Sequence, residues 1–111
     1  VTGRADDVIL SGGELVHPAT VRATITAHPD VDDAWVVGIE DTEWGERVAA
    51  LVAADDLTRE EVKAYVTPRL APYEVPKTWA FAHELPRTTS GTVDRAAVQR
   101  QLREVNGPSA D

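Results

Sequence analysis

Ala34-Trp35-Val36-Val37-Gly38-Ile39 decides how this chain folds. The run is apolar throughout and rich in β-branched residues, the pattern of a buried strand. Arg47 to Ala54, with Val48, Leu51 and Val52 apolar, is predicted as a second strand. The connection from Glu40 to Glu46 is polar and holds Trp44-Gly45, so it reads as a loop between the two. Thr78-Trp79-Ala80-Phe81 is predicted as a third strand.

Outward from these strands, the punctuation is local. Toward the N-terminus, Val8-Ile9-Leu10 and Leu15-Val16 flank Ser11-Gly12-Gly13, which predicts a tight hairpin. Pro18 suits a first helical turn, and Val21 and Ile25, four apart, would share the buried face of a helix running to about His28, stopped by Pro29. Between the second and third strands, Thr58 and Glu61 form a capping box ahead of a helix carrying Val62, Tyr65 and Val66. Pro68 predicts a kink or an end, and Pro72 and Pro76 bracket an irregular segment. Past the third strand, a loop from Pro86 to Val93 leads to a last helix capped by Asp94, with Val98 and Leu102 inward. The tail, from Arg103 to Asp111, is expected to fray. The order hairpin–α–β–β–α–β–α gives an α+β fold: a small N-terminal hairpin and a central, mostly antiparallel three-stranded sheet flanked by helices.

At 111 residues the chain fits one domain that can bury a core without staples. With no Cys, disulfides and thiolate metal sites are excluded. No apolar run approaches membrane-spanning length and no signal peptide is visible, so a cytoplasmic protein is the expectation. The net charge of −8 disfavours nucleic-acid binding. Much of the acidic excess lies between Asp30 and Glu46 and reads as a solvated rim.

Three places could carry chemistry. Arg4-Ala5-Asp6-Asp7 sets a guanidinium beside two carboxylates, but neighbouring side chains of an extended segment point apart, so Asp6 and Asp7 do not form an acid/base pair. On local evidence a surface turn with a weak ion pair is preferred. Ser11-Gly12-Gly13 could admit a ligand close to the backbone, although tight turns use Gly-Gly more often, and Glu14 disfavours an anion there. Thr88-Thr89-Ser90-Gly91-Thr92, flanked by Arg87 and Arg95, could hold phosphate or carboxylate at a helix start, against ordinary loop and cap chemistry. His17, His28 and His83 lack metal-ligand spacing, and Trp35, Trp44 and Trp79 read as packing residues.

The order of these motifs is more telling than any one of them. Gly3-Arg4-Ala5-Asp6-Asp7-Val8-Ile9, Ser11-Gly12-Gly13-Glu14, His28-Pro29-Asp30-Val31, Asp41 with Trp44-Gly45-Glu46, Leu70-Ala71-Pro72-Tyr73 and Leu85-Pro86-Arg87-Thr88 with Ser90-Gly91 together resemble the C-terminal domain of the adenylate-forming acyl-CoA synthetases. The resemblance runs from Gly3 to about Leu102. It implies a mobile lid on a larger N-terminal domain that binds ATP and a small-molecule carboxylic acid. Such enzymes form an acyl-adenylate and pyrophosphate, then pass the acyl group to coenzyme A, with Mg2+ expected in the full-length enzyme but not on this domain. It further implies that Asp6 is the hinge, that Arg4 approaches the nucleotide ribose, and that Ser11, Gly12, Gly13 and Glu14 line the coenzyme A channel during thioester formation. Thr92 stands at the family's adenylation lysine, where a short neutral hydroxyl cannot replace a long cation. The flavour of Val1 to Asp7 and of Thr92 to Ala97 is similar to the o-succinylbenzoate-CoA ligases of menaquinone biosynthesis, with fatty-acid and aryl-acid ligases close behind. Two other readings compete: a lid that serves a carrier-protein-loading adenylation enzyme, and a non-enzymatic interaction domain that kept the fold.

Overall fold

The computed structural model describes residues 8–43 and 45–105. Arg4, Asp6 and Trp44 lie outside the described residues. The elements follow as β1 (Ile9–Ser11), β2 (Glu14–Val16), α1 (Pro18–Thr26), β3 (Asp33–Asp41), β4 (Gly45–Ala53), α2 (Arg59–Val66), β5 (Thr78–Ala82) and α3 (Arg95–Val105), with 3-10 turns at Thr67–Arg69 and Pro72–Glu74.

The strands form one mixed five-stranded sheet. β3 and β4 pair antiparallel along their whole length, from Asp33 opposite Ala53 to Asp41 opposite Gly45. The other edge of β4 is shared. β1 meets it at Ser11 opposite Gly45, and β5 runs parallel to it from Ala49–Thr78 to Ala53–Ala82. The α+β class thus holds, and the hairpin joins the same sheet as the three central strands. The β4–β5 pair is parallel because a helical crossover, not a tight turn, connects them.

β4 is buried from Val48 through Ala53 because both faces are covered. Val48, Ala50 and Val52 pack with Val21 and Ile25 of α1 and Val62 and Val66 of α2. Ala49, Leu51 and Ala53 pack on the opposite face with Val98 and Leu102 of α3. Strand residues alternate faces, so a strand between two helical layers must be apolar at every position.

Local signals set the ends of the elements. In α2 the Glu61 amide donates to the Thr58 hydroxyl at 3.2 Å, and the Thr58 amide donates to the Glu61 carboxylate at 3.0 Å. Asp94 caps α3 by accepting from the Ala97 amide at 3.1 Å. α1 ends at Thr26, two residues short of His28, with the His28 amide turned back to the Ile25 carbonyl. α3 continues through Val105, so Arg103 to Val105 are helical where fraying was expected to begin.

Candidate functional site

The Gly12-Gly13 turn closes a two-residue hairpin between β1 and β2, with Ser11 opposite Glu14. Both glycines have positive φ, 61° and 86°, as the turn type that matches strand twist requires. A Cβ at Gly13 would meet nothing within 4 Å, so backbone conformation, not space, demands glycine. Gly12, Gly13 and Glu14 are exposed, while Ser11 is buried at 3%. On the hairpin, Ile9 and Val16 face the core, and their neighbours Leu10 and Leu15 are 52% and 60% exposed.

The hydroxyl-rich loop is a closed turn. Arg87 pairs with Val93, the Thr88 amide donates to the Thr92 carbonyl at 2.8 Å, and Gly91 turns with φ 95°. The Thr88 hydroxyl lies 3.0 Å from both the Ser90 and Thr92 hydroxyls. Arg87 spans the loop, donating to the Gly91 carbonyl and, at 3.2 Å, to Asp33 at the start of β3. The first turn of α3 is already served by the Asp94 carboxylate. That charge occupies the place an anion would take, so loop and cap chemistry describe this helix start better than a phosphate site.

The two loops do not meet. The hydroxyl loop is tied to Asp33, at one end of β3, and the glycine turn lies beyond Gly45, opposite Asp41 at the other end. Eight strand steps separate those ends, about 26 Å.

The edge of β3 carries a groove of about 480 Å³ between the start of α1 and α3. Arg22 of α1 donates to the Ala34 carbonyl at 2.6 Å, and Gln99 of α3 reaches the Gly38 carbonyl at 3.5 Å. These side chains cover an edge that would otherwise invite strand addition. Trp35 lies there beneath the guanidinium groups of Arg22 and Arg95, at 5.3 and 5.8 Å from its ring centre.

The pattern that defines the AMP-binding enzyme C-terminal domain matches residues 21–92, well over half of the chain. The chain belongs to that family. This AMP-binding enzyme C-terminal domain is 39% identical, over 106 residues, to a 2-succinylbenzoate--CoA ligase of Bacillus mycoides, covering 95% of this chain and 22% of that protein. ATP-bound MatB from Rhodopseudomonas palustris superposes with a TM-score of 0.84 at 29% identity, over 95% of this chain and 22% of that one. The o-succinylbenzoate CoA synthetase (MenE) of Bacillus subtilis, in complex with the acyl-adenylate intermediate OSB-AMP, superposes with a TM-score of 0.75 at 34% identity, over 90% and 20%. The chain therefore spans about a fifth of the length of these relatives.

Several features of the AMP-binding enzyme C-terminal domain escaped the sequence reading. Glu46, counted there within an acidic rim, accepts the Leu10 amide across 36 positions at 2.9 Å. Asp33 and Asp41 are likewise structural, paired with Arg22 and Arg87, and with Arg47. Among the described residues no three His, Asp or Glu side chains converge as a metal site would require. No helix among them is long and apolar enough to cross a membrane.

Proposed function

We propose that this domain is the mobile lid of an ATP-dependent carboxylic acid–CoA ligase, acting with a large N-terminal domain that holds ATP and the acid. One observation carries the reading. The glycine turn and the hydroxyl loop lie at opposite ends of the β3–β4 pair. A body holding both substrates can meet only one of these ends at a time, so two half-reactions call for two lid positions.

In the first position the Thr92 end faces the reacting carboxylate and nucleotide. The acid oxygen attacks the α-phosphate of ATP, pyrophosphate leaves, and charge develops without a cation from position 92. Losing one such contact costs roughly 10²–10³ in rate. In the second position the exposed Gly12-Gly13 backbone borders the coenzyme A channel, where the thiolate attacks the acyl carbonyl and AMP departs. Asp6 is the proposed hinge between the two positions, and Arg4 the residue approaching the ribose. The relatives' names support 2-succinylbenzoate as the acid; menaquinone biosynthesis as the setting and the cytoplasm as the location belong to the same proposal.

The test is full-length turnover of a panel of acids with ATP and coenzyme A, beside thioester formation from supplied acyl-adenylate. The reading expects weak adenylation and intact thioester formation, with 2-succinylbenzoate preferred. No thioester from any adenylate would overturn it. Transfer only to a carrier protein would favour the carrier-loading alternative.

A further inference from the structure

We propose that Glu46 is a positioning residue for the Gly12-Gly13 turn, acting through the Leu10 amide; the proposal rests on the reading above, in which that turn borders the coenzyme A channel. The hairpin of β1 and β2 has little ladder holding it to the sheet. β1 pairs with β4 at Ser11 opposite Gly45, and β2 pairs with β1. Next to that pair, where a second rung would form, the Glu46 carboxylate reaches over instead and takes the Leu10 amide at 2.9 Å. A hydrogen bond to an ionised acceptor is stronger than the amide–carbonyl bond it replaces.

The surroundings are shaped for this contact. Gly38 lies beneath it, and a Cβ there would stand 3.0 Å from Ile9 Cγ2 and 3.2 Å from Glu46 Oε2. The φ of Gly38 is not positive, so its glycine answers to space, unlike those of the turn. Gly45 meets the opposite need. Its φ of 83° bends the start of β4, and its own Cβ position is 3.7 Å from the Leu10 carbonyl. Gly38, Gly45 and Glu46 thus form a seat that fixes the angle at which β1 leaves the sheet. Leu10 is two residues from Gly12, so this angle sets where the turn points. The hydroxyl loop at the far end of β3 gains nothing from the seat.

A purely structural glutamate would weaken both half-reactions together, whereas a positioning glutamate acts on the coenzyme A step alone. The experiment compares E46A, E46Q and G38A in the full-length ligase. Amide hydrogen exchange at Leu10 reads the contact itself; KM for coenzyme A with supplied acyl-adenylate reads the turn; pyrophosphate exchange reads adenylation. E46A is expected to speed Leu10 exchange and to raise KM for coenzyme A, each about tenfold, with adenylation unchanged. E46Q, whose neutral amide oxygen can still accept the bond but without the charge, should fall between wild type and E46A, and G38A should follow E46A. If E46A does not fold, E46D, whose shorter arm cannot span the distance, replaces it. Unaltered Leu10 exchange in E46A overturns the proposal, as does an equal fall in both half-reactions. A wild-type enzyme that makes no thioester refutes the ligase reading instead, and the exchange measurement still decides whether the seat exists.

Discussion

The Thr92 hydroxyl lies 3.0 Å from the Thr88 hydroxyl, and the Thr88 amide donates to the Thr92 carbonyl at 2.8 Å. Position 92 is therefore folded back into its own turn, both by side chain and by backbone. Lysine there could not make the hydroxyl contact, and its longer arm would extend from an exposed loop. We expect T92K in the full-length enzyme to raise the adenylation rate by roughly 10²–10³ and to leave thioester formation from supplied adenylate unchanged. Pyrophosphate exchange measures the first and thioester assay the second. No gain in adenylation would remove Thr92 from the reaction.

Gly12 has φ 61° and sits first in the hairpin turn. Asn tolerates that conformation and Val does not. G12V should cost on the order of 1–2 kcal/mol, a fall in Tm of several degrees for a domain of this size. G12N should stay within about 0.5 kcal/mol of wild type. Thermal unfolding distinguishes them, and equal losses would show that positive φ is not what requires glycine at position 12.

The capping box of α2 supplies a second stability test. Both of its bonds depend on the Thr58–Glu61 pair. T58A should lose about 1 kcal/mol and T58S should lose little. Urea denaturation at fixed m-value reads the difference.

Leu102 is fully buried and is packed by α3 onto Leu51 and Ala49 of β4. L102A should destabilise by roughly 2–5 kcal/mol through lost burial and the cavity left behind. L102M, which nearly conserves volume, should cost less than about 1.5 kcal/mol. A small loss for L102A would mean that α3 is not a firm layer of the fold.

The features legible in the sequence share a short reach. Gly12-Gly13, the Thr58–Glu61 box, the Asp94 cap and the Val21/Ile25 and Val98/Leu102 stripes each involve residues within four positions of one another. Their geometry depends on backbone that the same few residues set. The unread features reach further. Leu10 and Glu46 are 36 positions apart, Arg22 and Ala34 are 12 apart, and Arg87 and Asp33 are 54 apart. In each case the charged residue has no local signature that separates it from a solvated one. Glu46 and Asp33 lay in an acidic run whose composition suggested only a rim. Trp35, within a run read as buried, lies on the sheet's outer edge under two arginines.

The sequence by itself determined the elements, the turn chemistry and the identity of the residues at the two candidate loops, because hydrophobic period, capping and positive φ are decided over a few residues. Only the tertiary structure decided that β1 and β5 share one edge of β4, that Glu46 seats the hairpin, and that the glycine turn and Thr92 lie at opposite ends of the sheet. Those relations come from how two apolar faces of β4 are covered at once, and no local pattern encodes which distant segment will do the covering.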